Sequence, residues 1–105
     1  MAPLPPLGRA RALQLVRDGA LPFMFGSPHP RVAVLLQDGV YRIRGLVVDP
    51  GEAQASRDRA LAAGQSWMAE HYHALGAPTG AIHAEASSIP ELVAAMETMP
   101  WPDDW

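Results

Sequence analysis

The chain has 105 residues, 49% of them hydrophobic, and a formal net charge of −3. This length and composition predict a single domain that buries a core without covalent cross-links. Cysteine is absent from the sequence, which excludes disulfides, thiolate metal sites and cysteine nucleophiles. No apolar run approaches the roughly 18 residues of a membrane span, and no signal peptide is recognisable. We therefore expect a soluble, cytoplasmic protein without membrane contact.

The charges are unevenly distributed along the chain. All eight basic residues are arginine and neither lysine nor asparagine occurs, a composition that a GC-rich genome would produce. Residues 1–44 carry a net charge of +4, whereas residues 45–105 carry −7. Such asymmetry is typical of a basic surface for an anionic partner, or of two halves that fold onto each other. The second interpretation needs no partner and is the simpler one.

The first part of the chain predicts a flexible lead-in and one helix. Three prolines within residues 1–6 favour an extended, loosely held segment. The predicted single domain covers residues 7–99. Good helix formers run from Leu7 to about Asp18, and Gly19 stands where a left-handed residue would end that helix. The apolar segment Leu21–Phe25 is either a short strand or an extended segment over the core.

Residues 31–48 predict a β-hairpin. Asp38-Gly39 favours a two-residue turn, because both central positions of a type I′ turn need a positive φ. One face of the hairpin is then apolar, and the other carries a mixed, basic set: Arg31, Leu35, Gln37, Arg42 and Arg44. The predicted pairs are Gln37 with Val40, Leu36 with Tyr41, Val34 with Ile43 and Val32 with Gly45.

The second half predicts a helix, a strand and a helix. Asp49 and Pro50 begin a long helix that reaches about Leu75, with Trp67 and Met68 on its inward stripe. Residues 81–86 alternate as a strand does, and the capping box from Ser88 to Glu91 begins the last helix. The fold class is therefore α+β, in the order α-(β)-β-β-α-β-α. A β-α-β crossover would place the last strand parallel to the second hairpin strand and beside the first, with the helices packed on one face of a small antiparallel or mixed sheet.

Histidines and carboxylates offer one possible chemistry. His83 and Glu85 are expected on the same side of the last strand, and His71 on the inward helical stripe, so that a two-histidine, one-carboxylate cluster is conceivable. There is no HExxH pattern, no nucleophile elbow, no phosphate-binding glycine loop and no dinucleotide fingerprint. No catalytic residue, metal site or cofactor is predicted, and an enzyme or metal-binding protein using these three residues is kept as the alternative.

The arginines of the hairpin offer a second possibility. Arg31, Arg42 and Arg44 could follow a phosphate backbone, which would make the protein a nucleic-acid-binding regulator. The negative net charge opposes this, and no aromatic side chain interleaves with these arginines.

Residues 100–105 form an acidic, aromatic tail. Large apolar rings next to carboxylates are typical of a segment that docks onto a basic and apolar surface. The tail either docks within its own chain, with Asp103 and Asp104 near Arg42 and Arg44 and Trp105 on a guanidinium, or reaches a partner or second copy. The leading hypothesis is a non-enzymatic protein-interaction domain, such as an accessory, inhibitor or immunity-type protein, that binds a protein partner or itself. Its predicted binding residues are Arg31, Leu35, Arg42, Arg44, Trp101, Asp103, Asp104 and Trp105.

Overall fold

The computed structural model describes residues 5–65 and 69–105. It confirms the α+β class, since helices pack on a four-stranded antiparallel sheet. Residues 1–4 of the expected lead-in lie outside the described residues. None of the described helices is both long and apolar enough to cross a membrane. The described elements are α1 (Arg9–Arg17), β1 (Phe23–Phe25), β2 (Val32–Gln37), β3 (Val40–Gly45), α2 (Pro50–Ala62), α3 (Tyr72–Leu75), β4 (Ile82–Ala86) and α4 (Ile89–Thr98).

The hairpin of β2 and β3 has the predicted turn and register. Asp38 and Gly39 have φ values of 54° and 80°, as the type I′ turn requires. All four predicted residue pairs are present, from Gln37 opposite Val40 to Val32 opposite Gly45. The segment before the hairpin is a strand, because β1 pairs antiparallel with β2.

The placement of β4 differs from the prediction. It pairs antiparallel with β3, at the outer side of the sheet order β1-β2-β3-β4, whereas the prediction made it parallel to β3 and placed it beside β2. The reason is the path between β3 and β4. Val47 and Ala77 exchange two backbone hydrogen bonds of 2.8 Å. The two ends of the segment that contains α2 and α3 therefore lie side by side. The chain therefore returns beside the strand that it left, and runs in the opposite direction.

The helix after β3 is shorter than predicted. It ends at Ala62, and Gly64 follows with a φ of 78°, a left-handed conformation that ends a helix. Leu61, near the end of this helix, is exposed although it is a large apolar residue. Trp67 and Met68, expected on the inward stripe, lie outside the described residues. The later part of the predicted helix is the separate α3, Tyr72–Leu75.

Helices cover both faces of the sheet, and the prediction that they share one face is wrong. One core contains Val32, Val34 and Ile43, with side chains from α1 and α4. A second core contains Ala33 and Leu35, with side chains from α2, α3 and the segment between them. Side chains alternate between the faces of a strand, so these two cores lie on opposite sides of β2. The second core is built largely from alanines, whose small side chains allow α2 to lie close to the sheet.

Both predicted helix starts are confirmed. The carboxylate of Asp49 accepts a hydrogen bond from the backbone N–H of Glu52 at 3.0 Å. Ser88 Oγ accepts from the N–H of Glu91 at 3.3 Å. The Glu91 carboxylate accepts from the hydroxyl and the N–H of Ser87, and these bonds lower its pKa. Each cap satisfies N–H groups that the first helical turn leaves unpaired.

Candidate functional site

Much of the basic face of the hairpin is covered by other parts of the same chain. Leu35 is only 3% exposed, because it lies in the core under α2. Gln37 Oε1 accepts hydrogen bonds from Nη1 of Arg42 at 3.2 Å and from Nη1 of Arg44 at 3.1 Å. Gln37 Nε2 donates to the carbonyl of Pro78 at 3.3 Å. One glutamine thus joins two arginines of β3 to the segment that precedes β4.

Each of these two arginines has further partners in its own chain. Arg44 donates to the carbonyl oxygens of Thr79 and Gly80 at distances of 2.9–3.1 Å. Arg42 Nε lies 3.1 Å from a carboxylate oxygen of Glu85, its cross-strand neighbour on β4. Both guanidinium groups therefore hold β4 and its preceding loop against β3, a role that uses most of their hydrogen-bonding capacity.

The C-terminal tail docks on the other face of the sheet. Trp105 is 6% exposed and belongs to the core of that face. Its ring makes edge contacts with Phe25 at 5.6 Å, with Trp101 at 5.2 Å and with His83 at 4.8 Å between centroids. Phe25 and Trp101 are stacked, with 5.5 Å between centroids. Such ring arrangements are the ones that aromatic quadrupoles favour.

Polar contacts hold the tail in place. The carbonyl of Trp105 accepts from the N–H of Leu7 at 2.6 Å, and the carbonyl of Asp104 accepts from the N–H of Ser27 at 2.7 Å. The Asp104 carboxylate lies 3.0 Å from the guanidinium of Arg31. A different arginine, Arg9, lies over the ring of Trp101 at 5.9 Å. The tail is therefore held both by residues that precede β1 in the sequence and by residues that follow it.

The structure corrects the expected contacts of the tail. Asp103 and Asp104 were expected near Arg42 and Arg44, but Asp104 pairs with Arg31 and Asp103 is exposed. The reason is that Arg42 and Arg44 lie on the sheet face covered by α2, whereas the tail docks on the face of α1 and α4. For the same reason the ring neighbours of Trp105 are aromatic residues and not the expected guanidinium.

The histidine and carboxylate cluster is not brought together. A register shift between Ile43 and Arg44 makes His83 an extra residue in β4. The His83 ring therefore contacts the tail, whereas Glu85 pairs with Arg42 on the opposite face, and the prediction that the two share a side is wrong. Within residues 5–65 and 69–105, no three His, Asp or Glu side chains are grouped so that they could hold a metal ion.

The feature that the sequence did not reveal is the free edge of β4. In the described sheet, β4 has a neighbour only on its β3 side. Ile82 is 46% exposed, and His83 and Glu85 are also exposed. The alternation of residues 81–86 indicated a strand but could not tell an edge strand from a central one, because this depends on the path of the whole chain.

The predicted binding residues are therefore spread over both faces of the sheet. Arg31 and Asp103 are exposed; Arg42, Arg44, Trp101 and Asp104 are half-buried; Leu35 and Trp105 are buried. Comparison with protein-family models, with curated proteins and with solved structures finds no match for this chain.

Proposed function

We propose that this protein is a non-enzymatic, cytoplasmic protein-interaction domain, and that its partner adds a β-strand along the free edge of β4. The observation that supports this proposal most directly is the five-residue edge strand Ile82–Ala86, which pairs with no described strand on its outer side. Peptide recognition by strand addition uses such edges, since their unpaired N–H and C=O groups are a template for another chain.

The direction of the free backbone groups follows from the register. In a two-residue hairpin the pair that flanks the turn, here Gln37 with Val40, is hydrogen-bonded, and the bonded pairs then alternate. Arg42 thus bonds to β2, and Tyr41 and Ile43 bond to β4. Because Glu85 stands opposite Arg42, its backbone N–H points away from β3, toward the free edge.

The edge of β4 has little protection against a second strand. The opposite edge strand, β1, has three residues, and a short edge offers few hydrogen bonds. In β4 the irregularity at His83 interrupts the ladder, but the charge of Glu85 is paired with Arg42. The exposed side chain of Ile82 adds apolar area for a partner. The partner is either a second copy of the chain, which gives a homodimer, or a different protein.

Two variants at one position test this proposal. Glu85→Pro and Glu85→Ala both remove the carboxylate that pairs with Arg42, but only proline removes the outward N–H and blocks strand addition. We expect native mass measurements at micromolar concentration to show self-association for the parent chain and Glu85→Ala, and a monomer for Glu85→Pro.

If the parent chain is monomeric, the same two variants are compared as baits for a partner protein from the cytoplasm. A partner bound by Glu85→Ala and lost from Glu85→Pro supports the proposal. Equal behaviour of the two variants in both experiments would overturn it. Circular dichroism checks that Glu85→Pro retains the fold of Glu85→Ala.

Two exposed residues of the predicted binding set are candidates for further contact with the partner. Arg31 and Asp103 are both at the surface, and Arg31 carries a guanidinium already neutralised in part by Asp104. Contact of a partner with these two residues stays a prediction. Arg31→Gln should lower the rate of association with the partner, and should do so more at low salt than at high salt.

A further inference from the structure

A cavity of about 150 Å³ lies between the turn end of β2 and one side of α2. Part of its wall is apolar, and is formed by Leu35, Ala60 and Pro78. The polar part of the wall includes Ser56 and Arg59 from α2 and Tyr72 from α3. A concave site with an apolar wall and a few polar groups is the usual form of a small-molecule binding site.

Two hydroxyl groups in this cavity lack a protein partner. Tyr72 is 2% exposed and Ser56 is 7% exposed, and both line the cavity. Among the described residues neither hydroxyl makes a hydrogen bond, and neither oxygen belongs to the fully buried atoms without a partner. Both oxygens are therefore accessible and keep their hydrogen-bonding capacity for a ligand. Burial also raises the pKa of Tyr72, which keeps the phenol protonated and able to donate at neutral pH.

A cation lies beside these hydroxyls. Arg59 lines the same cavity one helical turn after Ser56, and residues three apart share a helix face. Its guanidinium forms no ion pair with a described carboxylate. Asp38 also lines the cavity, but its carboxylate lies 3.9 Å from the guanidinium of Arg42. The donors that face the cavity therefore include one arginine and two hydroxyls, a set that suits a carboxylate.

We propose that this cavity binds a small monocarboxylate with an apolar body of about the size of a benzene ring. The carboxylate accepts hydrogen bonds from Arg59 and the hydroxyls of Ser56 and Tyr72, and the apolar body contacts Leu35 and Ala60. The size follows from the volume, since an apolar cavity of about 150 Å³ holds benzene. The site is separate from the edge of β4, because β3 lies between β2 and β4.

Sodium benzoate is the probe for this site, with benzamide as its uncharged counterpart of the same shape. Binding to the full chain is followed by calorimetry and by amide chemical shifts. We expect benzoate to bind with a Kd of about 1 mM or tighter, and benzamide to bind at least several-fold more weakly. The shifted amides should be those of β2 and α2.

Three variants test whether benzoate binds in this cavity. Arg59→Gln should weaken benzoate binding at least tenfold and leave the melting temperature of the free protein unchanged, since the side chain is exposed. Arg57→Gln, which removes an arginine outside the cavity, should leave the Kd unchanged. Tyr72→Phe removes only the phenol oxygen, and should weaken binding several-fold.

The proposal is overturned by any of three results. The first is no saturable benzoate binding up to about 20 mM. The second is benzamide binding as tightly as benzoate, which would remove the role of the negative charge. The third is an equal Kd for Arg59→Gln and Arg57→Gln, which would place the bound anion elsewhere.

Discussion

Replacing Trp105 by alanine should destabilise the protein strongly, although the residue is in a six-residue tail. The indole is 6% exposed and contacts the rings of Phe25, Trp101 and His83. Alanine would remove these contacts and leave a void between the sheet and the tail. The surrounding residues come from separate segments of the chain, and we expect them to close that void only in part.

The size of the effect follows from the buried area. An aromatic side chain of roughly 250 Å² that loses nearly all of its exposure contributes about 6 kcal/mol, at about 25 cal/mol per Å². This is an upper value, since the unfolded chain already shields part of the ring. Measured losses for Trp→Ala in protein cores are about 3–5 kcal/mol. We therefore expect Trp105→Ala to lower the free energy of unfolding by about 4 kcal/mol.

Urea unfolding followed by circular dichroism measures this loss, provided that the slope of the transition is unchanged. Asp103→Ala is the matched control, because Asp103 is in the same tail but exposed. The control should change the free energy of unfolding by no more than about 0.5 kcal/mol. Repeating the measurement on Glu85→Pro, in which association through β4 is blocked, over a hundredfold range of protein concentration tests whether the tail docks in its own chain, since docking into a second copy makes the midpoint rise with concentration.

A loss below about 1 kcal/mol for Trp105→Ala, equal to that of the exposed control, would refute the reasoning. It would mean that the tail is not docked on the sheet in solution. A midpoint that depends on concentration in Glu85→Pro would instead place the tail on a second copy.

Three further substitutions have defined expected outcomes. Gly76→Ala should lower the free energy of unfolding by more than about 1 kcal/mol in urea, because φ is +100° and a Cβ would lie 3.0 Å from the backbone of Val47. Asp49→Ala removes the bond to the Glu52 N–H, and thermal unfolding should show a loss of about 1 kcal/mol. Burial raises the pKa of Tyr72 in the folded state, so stability should fall as the pH rises above about 10. Tyr72→Phe should reduce that alkaline loss, measured by urea unfolding at about pH 8 and about pH 11.

The parts of the fold that local chemistry determines could be predicted from the sequence. The hairpin register needs only a turn that requires positive φ at Asp38 and Gly39, together with an apolar alternation on each side. The helix starts at Asp49 and Ser88 likewise depend on residues within one turn. These features do not depend on contacts with distant parts of the chain.

The path of the chain could not be predicted in the same way. The residues at 56, 60 and 64 have the spacing of a continuous helix, yet Gly64 also allows the left-handed conformation that ends α2. The helix ends there, and the chain returns to β3 through the pair of Val47 and Ala77, so that β4 pairs antiparallel with β3. The residue spacing does not show where the helix ends or on which side β4 joins the sheet.

The burial of the mixed, basic face of the hairpin could not be predicted from its sequence. Ala33 and Leu35 are only two apolar residues on a face that also carries Arg42 and Arg44, a pattern typical of a solvent-exposed surface. The alanines of α2 pack on them without large side chains, so no strong apolar stripe marks this contact in the sequence. The arginines then pair with Glu85 and with backbone carbonyls, whose positions depend on β4.

The docked tail also determines when the protein can fold during its synthesis. The core of the face with α2 is formed by residues 24–72, and the arginines of that face pair with residues up to Glu85, so this face can form before the tail is made. The core of the face with α1 and α4 includes Trp105, whose carbonyl accepts from the N–H of Leu7. A nascent chain that stalls after α4 therefore exposes the apolar ring of Phe25, and this face can be completed only when residues 101–105 have been made.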